Sequence, residues 1–405
     1  MRRVFITGYG FVSAYGKSYE DLKKGFESGI NAVCFMTEWQ KYKDLTCYLA
    51  APIIDYEPPK EWSRKQLRSL GRVSQYACEA ASLALEMANL KDDESIQDGR
   101  MGVASGSSTG STDATLQLAK LFLGLENECN ANTYIKYMPH TTATNIALFF
   151  ALKGRLIPTS SACTSASQAI GYAYEAIKFN KIDMMIAGGA EELCPSEAYT
   201  FNFLYATSLK NDTPKLTPQP FDAQRDGLVI GEGGAYVILE SEESMLKRGA
   251  KPIAEIVGFG TTCDGTHITR PQSETMKQAM LLALKDANLS PDQIGYVNAH
   301  ATATKWGDIT ESIATNEVFG ENIAISSLKS YLGHTLGSCG ALESIASIEM
   351  MNEKLFFPTL NLNEIDKECA RLNYLKKPTK IDTQFVMNNN FAFGGVNTSL
   401  IFKKV

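Results

Sequence analysis

Short runs of buried-strand character alternate with amphipathic helical segments along the chain, and this alternation narrows the fold more than any other feature. The runs are VFIT near residue 4, MGVA near 101, DMMIAGG near 183, AYVILE near 235, IAEIVGFG near 253, IGYVNAH near 294 and QFVMNNN near 384. Between them, Val73 to Asn89 and Glu274 to Asn288 repeat apolar residues at spacings of three and four, as a helix with one buried face requires. The pattern predicts an α/β protein. No low-complexity or Pro/Ser-rich linker divides the chain, so a two-domain organisation has to come from repetition. One echo is visible: Ile6-Thr7-Gly8-Tyr9-Gly10 returns as Ile256-Val257-Gly258-Phe259-Gly260, each read as a strand entering a Gly-aromatic-Gly turn. Duplication and the simple reuse of glycine at strand ends both account for it.

Composition removes several classes of function. A chain of 405 residues holds two or three domains at roughly 100–200 residues each, and 44% hydrophobic with 21% charged residues is a folded, globular balance. The net charge of −6 is spread without basic blocks, so nucleic acid is not an expected partner. No stretch approaches the ~18 apolar residues of a membrane span. The opening MRRVFITGYGFVSAYG places a basic pair before an apolar run, as a signal peptide does, but its three glycines and β-branched residues suit a buried strand. Nine scattered cysteines, an odd number with no CxxC pair, argue against a disulfide framework or structural zinc and for a reducing cytoplasm.

The chemistry concentrates around one cysteine and two histidines. In IPTSSACTSASQAIGYAYEAIKF, residues Ala166, Ala169, Ile170, Ala173, Tyr174 and Ile177 predict a helix from about Ser165, with Cys163 at its start. The positive end of the helix dipole there favours a thiolate nucleophile, and small neighbours from Thr159 to Ser167 admit an acyl donor closely. The plainer alternative is a small buried apolar residue. Of four histidines, His300 ends IGYVNAH ahead of the hydroxyls of Thr302 and Thr304. His334 sits between Gly333 and Gly337 at the opening of a small-residue helix, with Lys329 five residues before it and Glu343 nine after. His140 and His267 lack such settings and are read as structural or peripheral. Two neutral imidazoles can each donate an N–H to an oxyanion, so a cysteine with two histidines suits formation of a thioester enolate and its attack on an acyl group, which is carbon–carbon bond formation. The Gly-Gly turn of NNNFAFGGVNTS offers further backbone N–H groups.

These segments resemble the β-ketoacyl-acyl-carrier-protein synthases, the elongating condensing enzymes of type II fatty-acid and polyketide pathways, over essentially the whole chain. The motifs RRVFITGYGFVSAYG, SSACTSA, PFDAQRDGLVIGEGGA, NAHATAT, SSLKSYLGHTLGSCGALE and NNNFAFGGVN fall in family order. The resemblance implies a duplicated thiolase-type five-layered α-β-α-β-α sandwich, with halves at residues 1–250 and 251–405. It implies decarboxylative condensation of malonyl-ACP with an acyl group delivered by acyl-ACP and held on Cys163, supported by His300 and His334. Lys329 then matches the lysine near His334, Asp308 and Glu311 the family's acidic pair, and Thr302 and Thr304 hydroxyls that touch phosphopantetheine. Phe393 matches the gating aromatic whose N–H joins that of Cys163 as an oxyanion hole. Asn298, Glu343, Asn388 and Asn389 resemble a structural cation cluster of some relatives, the alternative being a plain hydrogen-bond network. The implied partner is an acyl carrier protein bringing the phosphopantetheine, with no resident cofactor, and the implied assembly is a homodimer or a heterodimer with a homologous subunit.

The departures from the family pattern carry their own expectations. Ala301 and Ala392 replace usual glycines, which predicts altered turns if those positions have positive φ. Trp306 stands where smaller residues are common and either narrows the pantetheine channel or packs at the surface. Thr109, or Ser108 with one residue of slip in the alignment, matches a bulky aliphatic at the far end of the family's acyl tunnel, which implies an unpaired hydroxyl there, unless Thr109 turns outward and caps the following helix. With GSSTGSTDA this resembles the enzymes of aryl-polyene and flexirubin-type pigment clusters, and implies a preference for unsaturated or aryl-polyenoyl chains. Two alternatives fit the fold. A chain-length factor lacks the cysteine retained here. A thiolase needs a second cysteine in the C-terminal loop, where Phe391-Ala392-Phe393-Gly394 stands and Cys339 is the nearest candidate.

Overall fold

The computed structural model describes residues 1–126 and 128–405. Its centre is a mixed sheet made of two runs of five strands with one topology. In the first run β1 (Val4–Val12), β2 (Met101–Gly106), β3 (Leu156–Pro158), β4 (Met184–Glu191) and β5 (Gly233–Ser241) lie in the order β1-β5-β4-β2-β3. In the second, β6 (Ala254–Cys263), β7 (Tyr296–Asn298), β8 (Ala324–Ser326), β9 (Phe385–Phe391) and β10 (Val396–Lys403) lie in the order β6-β10-β9-β7-β8. Each run has two antiparallel pairings followed by two parallel ones. β1 meets β6 antiparallel at Val4 and Ile256, and a short strand, Asn373–Tyr374, extends the sheet beyond β8.

Six helices bear on the site: α1 (Arg72–Met87), α2 (Ser165–Lys178), α3 (Pro195–Phe203), α4 (Ser273–Ala287), α5 (Lys305–Phe319) and α6 (Cys339–Glu353). Strand residues alternate between cores. Val237 and Leu239 of β5 join a central core with α2 and α6, whereas Tyr236 and Ile238 join an outer core with α1. On β9, Val386 faces the central core and Met387 an outer core with α4. Both faces of each run are therefore covered, which is why these strands read as continuous apolar runs. The result is the α-β-α-β-α sandwich, with α2 and α6 packed on each other in the middle.

The Gly-aromatic-Gly echo is explained by this packing and not by turns, because both copies lie within strands. A Cβ on Gly10 would sit 2.3 Å from the Ala80 carbonyl oxygen of α1, and one on Gly260 would sit 2.0 Å from that of Ala279 in α4. Gly8 and Gly258 meet Ala84 and Ala283 as closely. Glycine on the strand and alanine on the helix let backbone approach backbone in both halves. Among the described residues no helix is long and apolar enough to cross a membrane. Gly260→Ala should therefore cost about 2–3 kcal/mol by overpacking, measured by chemical denaturation at equilibrium; an unchanged unfolding midpoint would contradict the close approach.

Candidate active site

The duplication brings the two central helix starts together. α2 follows β3 and α6 follows β8, at equivalent places in the two runs. The turns that lead into them, Ala162–Thr164 and Leu336–Ser338, are in contact. Cys163 lies in the first turn and His334 just ahead of the second, while His300 follows β7. The cysteine sulfur and one ring nitrogen from each histidine all fall within 4.8 Å of one another, and all three residues are buried. The two imidazoles meet edge to face with centroids 5.1 Å apart.

Each reactive group is held by backbone or by a small side chain. Around Cys163, the Ser165 hydroxyl donates to the Ala162 carbonyl at 2.7 Å, Thr164 donates to Ser161 at 2.8 Å, and Thr159 donates to Ser165 at 2.9 Å. That is the structural use of the small-residue run. The Glu311 carboxylate accepts the N–H groups of His300 at 2.8 Å and Ala301 at 2.7 Å, while Asp308 accepts those of Ala303 and Phe221. Asp308 and Glu311 thus hold the His300 loop from behind. Burial pushes their carboxyls up to about 7 and about 8, against these hydrogen bonds. His334 donates its N–H to Val229 at 2.7 Å and accepts at its carbonyl from Gly231. Its Nδ1 accepts from Leu336 N–H at 3.3 Å, which leaves Nε2 to carry the proton of a neutral ring.

Non-glycine residues with left-handed backbone flank all three groups: Ala162 at φ 51°, Ala303 at 66° and Leu336 at 47°. Ala301 and Ala392 do not have positive φ, so the expected strain at the two replaced glycines is absent and lies at these neighbours instead. Sequence offered no signal for them, because alanine and leucine do not advertise such conformations.

Electrostatics corrects one expectation. Burial pushes the Cys163 thiol up to about 12, opposed by the charge of Lys329 and by the N–H groups of Phe393 and Cys163 itself. Desolvation outweighs the helix end, so the resting group is a thiol. Burial also drives both histidines well below their ordinary range, and the Lys329 charge adds to it. Lys329 stays charged although burial opposes it, because its Nζ lies 2.5 Å from Glu343 Oε1.

The four residues of the expected cation cluster do not all converge. Asn298 donates to Asn388 at 2.7 Å, but Asn389 lies on the opposite face of β9, where Ser399 donates to it at 2.7 Å. Alternation along the strand brings in Asn390 instead, which donates to Glu343 Oε2 at 2.9 Å. Both Glu343 oxygens thus accept from nitrogen donors, with the Lys329 ammonium as the positive charge beside them, while Asn298 Oδ1 is buried without a hydrogen-bond partner among the described residues. Thr109 is also placed differently from either expectation. It lines no part of the cavity at Cys163, and Ser111 precedes the following helix; its hydroxyl lies 3.1 Å from Glu191 Oε1 and 2.5 Å from Glu197 Oε1.

A cavity of about 820 Å³ connects the three reactive groups to solvent, passing Thr302, Thr304 and Phe393 to the exposed ring of Trp306. The hydroxyls of Thr302 and Thr304 are 3.1 Å apart. Phe393 sits on the hairpin between β9 and β10, its ring 5.3 Å from Phe201, followed by Gly394 and Gly395 at positive φ. Cys339 donates to the Cys163 carbonyl at 3.2 Å from within α6 and does not line the cavity, so no second thiol faces the site there.

One buried thiol facing two neutral imidazoles, on a duplicated α-β-α-β-α sandwich, defines a condensing enzyme of the thiolase fold. The chain belongs to the β-ketoacyl synthase family. Residues 1–244 match the model of the beta-ketoacyl synthase N-terminal domain, and residues 253–363 that of the C-terminal domain. The chain is 35% identical to 3-oxoacyl-[acyl-carrier-protein] synthase 1 of Haemophilus influenzae, covering 100% of this chain and 99% of that protein. A beta-ketoacyl synthase from Burkholderia phymatum superposes with a TM-score of 0.99 at 53% identity, covering all of both chains. A structure of a ketosynthase in complex with its chain length factor, from Xenorhabdus doucetiae, matches with a TM-score of 0.82 at 27% identity, covering 100% of this chain and 98% of that one.

Two outcomes follow from the electrostatics. Alkylation of Cys163 by iodoacetamide should accelerate about tenfold per pH unit between pH 7 and 9, since the thiolate fraction rises at that rate below the thiol's titration; a plateau below pH 8, read by peptide mass spectrometry, would mean a stabilised thiolate. Lys329→Met should cost about 3–5 kcal/mol by leaving Glu343 unpaired, and Lys329→Met with Glu343→Leu should recover most of it in denaturation curves.

Proposed function

We propose that this chain extends acyl groups carried on an acyl carrier protein, with Cys163, His300 and His334 as its catalytic residues. The reaction is decarboxylative Claisen condensation giving 3-oxoacyl-ACP. The observation that carries the assignment of roles is the convergence of one thiol and two neutral imidazoles at the end of a cavity lined by threonine hydroxyls.

The steps follow from these groups. The thiol proton of Cys163 passes to an imidazole as sulfur attacks the incoming thioester; the carrier's thiol leaves with a proton, and the acyl group stays on sulfur. Malonyl-ACP then loses CO₂, its C–C electron pair becoming an enolate whose oxygen accepts from His300 and His334. Neutral rings suit this role because each keeps an N–H to donate. The enolate carbon attacks the acyl carbonyl, whose oxyanion faces the N–H groups of Cys163 and Phe393. That attack forms the new C–C bond; collapse of the tetrahedral oxyanion breaks the C–S bond, and the Cys163 sulfur leaves and takes up a proton from solvent through an imidazole. Thr302 and Thr304 hold the phosphopantetheine arm, and Trp306 narrows its entrance. Phosphopantetheine comes with the carrier, and the protein's own residues carry the chemistry.

The acyl carrier protein as partner is supported by the name of the Haemophilus influenzae relative, and pairing with a homologous subunit by the Xenorhabdus doucetiae complex. β3 is one edge of the sheet, with Leu156 exposed upon it, and it suits antiparallel pairing with a second subunit of the same fold. Free thiols at Cys34, Cys47, Cys78, Cys163, Cys194, Cys263, Cys339 and Cys369 suit a reducing cytoplasm. We assign the chain to elongation of unsaturated or aryl-polyenoyl acyl groups of the pigment type, on the resemblance carried by GSSTGSTDA.

Incubation with acyl-ACP and malonyl-ACP should yield 3-oxoacyl-ACP and CO₂, and Cys163→Ala should yield neither elongated product nor acyl-enzyme; acylation at another cysteine would overturn the assignment. His300→Ala and His334→Ala should each slow decarboxylation by a factor on the order of 10² or more. Acyl transfer should slow less, because it needs only one proton acceptor; equal losses in single-turnover assays of both steps would contradict the separate roles.

A further inference from the structure

The nucleophile is held from outside its own helix by a chain of buried side chains to which the steps above give no part. The hydrogen bonds of Thr159, Thr164 and Ser165 that shape the turn at Cys163 come from neighbours in sequence. Cys339 comes from the other half of the duplicated fold. It opens α6 at the place that Ser165 holds in α2, and its thiol donates to the Cys163 carbonyl at 3.2 Å. Asn390 of β9 stands behind it and donates from Nδ2 to the Cys339 sulfur at 3.5 Å. Both residues are buried.

Hydrogen-bond counting fixes the sense of the chain. An asparagine side chain offers two N–H donors and two acceptor sites on its carbonyl oxygen, and Asn390 fills all four. Nδ2 donates to Cys339 and, at 2.9 Å, to Glu343 Oε2. Oδ1 accepts from Asn388 Nδ2 at 3.0 Å and from the hydroxyl of Ser167, one turn along α2 from Cys163. Turning the amide over would set its oxygen against Glu343 and its N–H groups against the Asn388 nitrogen, so the orientation is locked. The Cys339 sulfur accepts from Asn390 and donates to Cys163, which requires that it keep its proton; burial and then the charge of Glu343 hold that thiol well above its ordinary range. A continuous path therefore runs from Lys329 through Glu343, Asn390 and Cys339 to the backbone of Cys163.

We propose that Cys339 and Asn390 are positioning residues for the condensation, anchoring the Cys163 backbone to the buried ion pair and so fixing the directions of its sulfur and of the N–H that faces the oxyanion. This rests on the roles proposed above for Cys163. The carbonyl that Cys339 holds belongs to the same residue as that sulfur and that N–H, so a small rotation of the backbone there misdirects both. Reacting groups out of line lose rate and not substrate binding, because the misplacement is felt in the transition state.

The test uses the whole chain with acyl-ACP and malonyl-ACP. Cys339→Ala, which removes the donor and the acceptor, should lower kcat about fivefold or more while both KM values stay within about twofold of wild type. Cys339→Ser keeps a donor and an acceptor and should recover most of that loss. Infrared spectra of the acyl-enzyme, labelled isotopically at its thioester carbonyl, give a direct reading. The stretch should move to higher wavenumber in Cys339→Ala and stay near its wild-type position in Cys339→Ser, since a misdirected Cys163 N–H no longer polarises that carbonyl. Asn390→Ala should lower kcat too, and the double variant with Cys339→Ala should fall no further than Asn390→Ala alone, as two links of one chain require. Wild-type kcat in Cys339→Ala, a loss in Cys339→Ser equal to that in Cys339→Ala, an unshifted carbonyl stretch, or additive losses in the double variant would each overturn the inference. A wild type that makes no 3-oxoacyl product would instead overturn the proposed function. The two Cys339 variants decide the matter if Asn390→Ala does not fold.

Discussion

The ion pair of Lys329 and Glu343 is the interaction on which the rest of the site depends. Two opposite charges buried in the middle layer are tolerable only because each is met, Lys329 by Glu343 and Glu343 in turn by Asn390, with Asn388 and Asn298 continuing the network across β9 and β7. The ammonium then acts at a distance. It helps to keep both histidines neutral and pulls against the burial that raises the Cys163 thiol. One fixed charge therefore tunes all three reactive groups in the directions that condensation needs: neutral donors for the enolate, and a sulfur that can still give up its proton and leave.

Duplication supplies the geometry for that charge to act on. Two copies of one strand order place two helix starts face to face, and the copies have diverged so that one start carries the nucleophile and the other follows a histidine. Each half of the sheet uses glycines on its first strand and alanines on the covering helix to bring its layers close. Function is concentrated where those elements end. Left-handed residues beside Cys163, His300 and His334 mark backbone that the surrounding packing holds in unfavoured conformations, at the places where reactive atoms must be aimed.

Much of this was legible before any coordinate. Apolar periodicity located the strands and the long helices because it reports a face that must be buried. α2 begins at Ser165 and α4 spans Ser273–Ala287, against a predicted start near Ser165 and a predicted Glu274 to Asn288. Cys163, His300 and His334 stood out because reactive side chains among small residues at element ends have few structural uses. Asn390 was missed in favour of Asn389, since a run of three asparagines on a strand does not say which two share a face.

The sequence by itself determined the α/β class and the membership implied by motifs in order, and it singled out Cys163, His300 and His334 as candidates, all of which rest on local pattern and residue chemistry. Tertiary structure alone decided how those groups behave. Whether Cys163 rests as thiol or thiolate depends on how completely other segments exclude water from it, and the helix end that favours the anion is outweighed. Whether Thr109 faces a substrate or joins Glu191 to Glu197 depends on residues about ninety positions away. Desolvation and long-range pairing are properties of the packed chain, and no local spacing encodes them.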